Sequence, residues 1–132
     1  ISSHQKAFAY ELIDEADVDV IYGHSSHHPM GMEVYNDRLI IYGAGDFIND
    51  YEGISGHERY RGDLTLMYFP TLEKKTGKLL SLKMIPMQIE KFQLNNASKE
   101  DAEWLQERLD RESEKLGGGV RFDGEGVLWL EW

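Results

Sequence analysis

Gly23-His24-Ser25-Ser26-His27-His28-Pro29 sets three imidazoles on a short turn directly after the apolar run Val18-Asp19-Val20-Ile21-Tyr22. Imidazole nitrogen is a good donor to zinc, manganese, iron, cobalt or nickel. A loop at the carboxyl end of a strand lets several rings converge while the flanking chain stays packed. Gly23 gives the backbone freedom where it leaves the strand. Two readings stand side by side: coordination of a metal, or solvated histidines that hydrogen-bond with nothing bound to them. Three rings within five positions at a strand exit, followed by Pro29, favour coordination. Two such ligands are still only half a site.

The remaining donors must be nitrogen or oxygen, because the 132 residues include no cysteine. Disulfides, thiolate zinc sites and cysteine nucleophiles are thereby excluded, and the redox compartment is left open. Fourteen basic against twenty-four acidic side chains give a formal net charge of -10, which repels a phosphate backbone unless a basic patch is segregated. Lys74-Lys75 and Lys78 flank Gly77 in what the sequence presents as a solvated hairpin turn, so nucleic acid is not an expected partner. No apolar run approaches the length that crosses a bilayer, and the N-terminus lacks the basic-then-apolar layout of a signal peptide. The chain has one domain's worth of length and is read as a single segment, residues 1–132. It starts at Ile1 and enters a helix almost at once, which suggests a segment of a longer product.

The elements that must position the histidines follow from local signals. Ser2 can cap a helix with Gln5 as its capping-box partner, and Phe8, Leu12 and Ala16 recur at four-residue spacing on one face, to about Glu15. Val18 to Tyr22 is continuously apolar enough for a buried parallel strand, completing an α/β unit. Met32 to Tyr35 and Arg38 to Tyr42 are joined by Asn36-Asp37, a hairpin connection. Asp63 to Phe69 and Lys78 to Ile85 form a second hairpin around Lys74-Lys75-Thr76-Gly77. Ser98 starts a last helix with the stripe Ala102, Leu105, Leu109 and Leu116, which Gly117-Gly118-Gly119 ends. Val120 to Phe122 and Val127 to Trp132 then form a terminal hairpin. Trp104, Trp129 and Trp132 are taken as packing residues in preference to a ligand platform.

Between the first two hairpins lies Gly43 to Gly62, about twenty residues with no clear period, holding Asp46, Asp50, Glu52, His57, Arg59 and Arg61. A loop of this length inside a compact domain is usually functional or disordered, and its aromatics Phe47, Tyr51 and Tyr60 argue against disorder. His57, Arg59 and Arg61 are candidates to steady an anionic group, since a guanidinium fork matches phosphate or carboxylate. Their alternative is surface pairing with Glu52, Glu58 and Asp63.

The run Val20 to Pro29, then Glu33-Val34-Tyr35, then Leu39-Ile40-Ile41-Tyr42-Gly43-Ala44-Gly45-Asp46-Phe47, resembles the CapA-type poly-γ-glutamate capsule synthesis family of the calcineurin-like metallophosphatase superfamily. The resemblance covers residues 5 to 95. It implies an α/β fold, the C-terminal half of a four-layer αββα sandwich with β-hairpins and two main helices, and a centre of two divalent metal ions, manganese, iron or zinc, at the strand ends. The superfamily's last metal motif, Gly-His-x-His, is spaced more widely in CapA-type proteins and maps onto Gly23, His24 and His27. His28 and Asp46 would then lie behind the ligands or face the substrate. The family's usual Gly-Asn-Phe appears as Gly45-Asp46-Phe47, which exchanges an amide donor for a carboxylate that only accepts or ligates; capping a turn beside Gly45 is the other reading of Asp46.

The superfamily's earlier motifs, Asp-x-His, Gly-Asp and Gly-Asn-His, are missing from this chain in the expected order. A two-metal centre needs a bridging carboxylate and further ligands to hold both ions, so the resemblance implies that an N-terminal half completes the site and that the chain alone is inactive. The implied substrate is anionic, poly-γ-glutamate or a phosphoester, with no individual catalytic residue assigned. Membrane-anchored, outward-facing placement at the cell envelope is a further implication. The competing hypothesis is a non-catalytic binding or scaffold module on the same frame, since fold alone does not establish activity. An isolated segment with open sheet edges is expected to form homo-oligomers.

Overall fold

A computed structural model describes residues 1–48 and 61–132. Ser2 caps the first helix, α1 (Ser3–Ala16): its hydroxyl accepts from the Gln5 amide while the Gln5 side chain accepts from the Ser2 amide, the reciprocal pair the sequence calls for. The buried face is a different one from that marked by Phe8, Leu12 and Ala16. Ala9 and Ile13 are buried, and Phe8 is 61% exposed. Polar pins account for the rotation. Tyr10 stacks on Tyr35 with ring centroids 3.9 Å apart and donates to the Glu33 carboxylate at 2.6 Å, while Asp14 accepts from Tyr35 and Asn36, each at 2.9 Å. Aromatic stacking and charge-assisted hydrogen bonds together turn the helix away from its Phe8 stripe.

Strands β1 (Val20–Tyr22), β2 (Met32–Tyr35) and β3 (Arg38–Ile41) make one sheet in the order β1-β3-β2. β1 runs parallel to β3, as the α/β reading expects, and β2 antiparallel. Asn36 and Asp37 both take positive φ, 49° and 63°, the pattern of a two-residue primed turn whose twist suits a hairpin. The strand with core on both faces is β3, where Leu39 and Ile41 join one apolar cluster and Ile40 and Tyr42 join the other. β1 is only half-buried, with Tyr22 57% exposed, because among the described residues it pairs on one side alone.

The second sheet is antiparallel. It contains β4 (Leu64–Leu72), β5 (Leu79–Glu90), β7 (Gly119–Phe122) and β8 (Leu128–Glu131) in the order β4-β5-β8-β7, with β6 (Gln93–Asn96) paired to the far end of β5. Both strands of the middle hairpin run longer than their apolar patterns indicate. β6 carries no such pattern, and its turn residues Lys91 and Phe92 reach positive φ without the usual Asn or Gly. Ser98 caps the second helix, α2 (Lys99–Glu114), through the Asp101 amide, and Ala102, Leu105 and Leu109 are buried as their spacing requires. Leu116 leaves that stripe and packs beside the α1 cluster. Trp104 packs against the main core, but Trp132, expected to pack, is 52% exposed at the chain's end. The main cluster draws on both sheets and α2, with Ser113 accepting from the Met32 amide at 3.2 Å to tie the helix to β2. The class is therefore α/β, with two helices, one mixed sheet and one antiparallel sheet among the described residues. No helix among the described residues is long and apolar enough to cross a membrane.

The α1 register makes a differential prediction. Ile13→Ala should destabilise the chain by about 2–4 kcal/mol, whereas Phe8→Ala should change stability by less than about 0.5 kcal/mol. Chemical denaturation of the two variants measures both, and a larger loss at Phe8 would contradict the register.

Candidate functional site

β1 and β3 end side by side because they are parallel, so the loops that leave them are neighbours. Backbone hydrogen bonds lace these loops together: Gly23 N–H to Ile41 C=O at 2.7 Å, Ala44 N–H to Gly23 C=O at 2.9 Å, and Met30 N–H to Gly43 C=O at 2.8 Å. Pro29 and Ala44 add an isolated antiparallel bridge. Such close approach demands glycine. A Cβ on Gly23 would lie 2.3 Å from the Tyr42 carbonyl oxygen, and Gly45 pairs a positive φ of 76° with a Cβ position 3.0 Å from Pro29.

Within this frame the structure brings His27 and Asp46 together. The His27 Nδ1 lies 2.9 Å from Asp46 Oδ2, with the carboxylate about four-fifths shielded. His24 Nδ1 is 3.0 Å from its neighbour Ser25 Oγ, and the His24 ring is exposed. Ser26 Oγ donates to the His28 carbonyl at 2.7 Å, closing the tip of the loop. Ser25 and His27 both take left-handed backbone angles, φ 69° and 56°. For non-glycine residues that geometry costs energy and persists only where the surroundings enforce it. Among the described residues no three His, Asp or Glu side chains are placed together to hold a metal ion.

Behind the loops sits a carboxylate the sequence did not single out. Glu33, 8% exposed, accepts from Tyr10 through one oxygen at 2.6 Å and from Tyr42 through the other at 2.7 Å, with Lys6 Nζ at 3.8 Å. Burial, then the Glu33 contact, push both phenols above their ordinary value, so the two remain proton donors to the carboxylate. The bridge ties α1 to the residue that precedes Gly43. Its signal in the sequence was the Glu inside an otherwise β-prone run, a break in pattern that marks an inward polar contact.

Of the candidate anion-binding residues, His57 and Arg59 lie outside the described residues. Arg61 is engaged. It donates through Nε and Nη2 to Asp63, each at 2.8 Å, reaches Asp101 at 2.8 Å, and lies 5.8 Å from the centroid of the Trp104 ring. An incoming anion would have to compete with both carboxylates. The geometry is a clasp that fixes the start of β4 to the first turn of α2.

A segment whose histidine loop and acidic glycine-rich loop converge at the carboxyl ends of two parallel strands belongs to the α/β class that places ligands at such ends. Sequence comparison supplies the relatives: residues 1–51 match the family of the bacterial capsule synthesis protein PGA_cap. The chain is homologous to probable polyglutamine synthesis accessory proteins from two strains of Mycobacterium tuberculosis, at 45% identity over 111 residues in each case. That alignment takes in 84% of this chain and 29% of each relative, so the chain spans less than a third of the length of the curated relatives it matches.

Two predictions test the frame of the site. Gly23→Ala, which forces the laced loops apart, should cost about 1–3 kcal/mol in denaturant stability; an unchanged midpoint would show the approach to be slack. The Arg61 guanidinium, assisted by Gln88, holds the Asp63 carboxyl below its ordinary value of 3.8. This stabilisation is therefore present above that value and is lost as pH falls through the lower folded-state value. Discounted for the solvent that reaches both groups, Arg61→Ala should remove about 1–2 kcal/mol at neutral pH and flatten the acid limb of the stability curve. Urea midpoints taken from neutral pH into strong acid measure this, and an acid limb unchanged in Arg61→Ala would contradict it.

Proposed function

We propose that this chain is the C-terminal part of a CapA-like protein of poly-γ-glutamate biosynthesis, in which His24 and His27 join ligands from an N-terminal portion to hold divalent metal. The observation that carries the reading is the His27–Asp46 contact on loops laced together at the strand ends. Metal-ligating imidazoles commonly rest one ring nitrogen on a carboxylate, which sets ring orientation and raises ligand basicity. With Nδ1 on Asp46, ligation through His27 would use Nε2. Asp46 then serves as the carboxylate that orients the ring, a role the amide of the family's Gly-Asn-Phe would fill differently.

The donor set fits manganese, iron or zinc, all of which accept imidazole and carboxylate. A pair of bound metals would supply Lewis acidity and a hydroxide nucleophile for phosphoester hydrolysis or a related step on an anionic substrate. The residues of this chain would hold and orient. His28 stands beside the ligands, and Arg61 keeps the neighbouring strand in place. The remaining strands of an αββα sandwich would come from the portion that the relatives' length leaves room for, in a protein held at the cell envelope.

The second reading, a non-catalytic module, is favoured by the same contact seen differently: Asp46 gives the His27 ring a partner that needs no metal. Metal content separates the two. In the complete polypeptide, elemental analysis should find bound divalent metal, and His24→Ala and His27→Ala should each weaken its affinity by about 10–100-fold or more in calorimetric titration, while Lys74→Ala leaves it unchanged. Equal affinity in all four proteins, or no metal at all, sinks the metal reading.

A further inference from the structure

The margins of the two sheets approach one another at an apolar groove. Tyr22 of β1, Phe47 and the β4 residues Leu66, Met67, Tyr68 and Phe69 line about 370 Å³. Tyr22 is 57%, Phe47 37% and Phe69 47% exposed. Past Phe47 the apolar surface continues to Ile48, 73% exposed. Contiguous exposed aromatics of this kind mark a surface that something covers. β1 and β4 are also the end strands of their sheets among the described residues, and an end strand presents main-chain donors and acceptors that template another strand.

We propose that this groove is the docking surface for further polypeptide of the same protein, which lays apolar side chains against Tyr22, Phe47 and Phe69 along the β1 and β4 margins. Two observations choose this occupant. The chain accounts for 29% of the length of its mycobacterial relatives, so most of such a protein lies outside it. The groove also borders the candidate site: Tyr22 immediately precedes Gly23-His24, and Phe47 immediately follows Asp46. Polypeptide docked there would arrive beside the histidine loop. The inference shares with the proposed function the premise of a longer protein, but it requires no metal.

The absence of cysteine from these residues makes thiol labelling a direct test. Phe69→Cys probes the groove, Leu80→Cys, 59% exposed and outside it, is the open control, and Ser113→Cys, fully buried, gauges folding. Each is labelled with maleimide in the 132-residue chain and in the full-length gene product, both in EDTA, and scaled to its urea-unfolded rate. In the short chain, positions 69 and 80 should react and 113 should not. In the full-length product, position 69 should become protected by about tenfold or more, independently of protein concentration. If the short chain is unfolded and 113 reacts, protection at 69 relative to 80 in the full-length product decides alone. Three results would overturn the proposal: unprotected labelling at 69 in the full-length product, protection that rises with concentration of the short chain, or a gene product no longer than 132 residues. Because EDTA is present throughout, these outcomes are separate from the fate of the metal reading.

Discussion

The parallel pairing of β1 with β3 is the constraint from which the rest of the site follows. Antiparallel neighbours would send their exits to opposite ends of the sheet, whereas parallel ones deliver both to the same end. Only then can Gly23 and Ala44 exchange main-chain hydrogen bonds with the opposite loop, and only then can His27 meet Asp46, nineteen positions further along the chain. The pairing also explains the local composition. Two chain segments leaving one sheet end at main-chain contact distance have no room for a Cβ at Gly23, and the left-handed angles at Ser25 and His27 are what remains when the histidine loop must fold back onto its neighbour so soon.

Polar contacts hold this arrangement from behind. A buried carboxylate is costly unless its oxygens are paired, and Glu33 meets that condition with two phenols, one from α1 and one from the end of β3. Removal of one phenol would leave an oxygen buried without its donor, so the bridge acts as a fixed spacer between helix and sheet. Arg61 plays a comparable part between β4 and α2 through Asp63 and Asp101. Both devices join elements distant in sequence, where apolar packing alone would tolerate sliding.

This distinction accounts for what the amino-acid order made legible. Features set by near neighbours could be read directly: the Ser2–Gln5 capping box, the Asn36-Asp37 turn, the Ser98 cap and the Ala102-Leu105-Leu109 stripe. No local pattern determines the side-by-side placement of His27 and Asp46, which depends on the parallel pairing of β1 with β3. Periodicity counts apolar residues and is blind to Tyr10 and Asp14, whose partners Glu33 and Tyr35 arrive from elsewhere, so it marks the Phe8 face of α1 where the structure buries Ala9 and Ile13. An apolar run such as Val20 to Tyr22 does not distinguish a central strand from a marginal one, and β1 lies at the end of its sheet among the described residues. No local pattern marks β6, because Gln93 to Asn96 are mostly polar and owe their extended form to pairing with β5.

The charge distribution bears on how such a site could handle an anion. A formal -10 suggests repulsion, yet exposed charges act over only about 8 Å at physiological salt, so what matters is the immediate surroundings of the loop. Many carboxylates elsewhere are locally matched, Asp63 and Asp101 by Arg61 and Asp37 by Lys78. Among the described residues, Asp46 is a carboxylate that an anion would meet at the histidine loop, where His27 is its partner. A bound divalent cation would more than offset that carboxylate. Metal binding and recognition of an anionic substrate would then be the same event, because such a cation would both supply the chemistry and remove the repulsion.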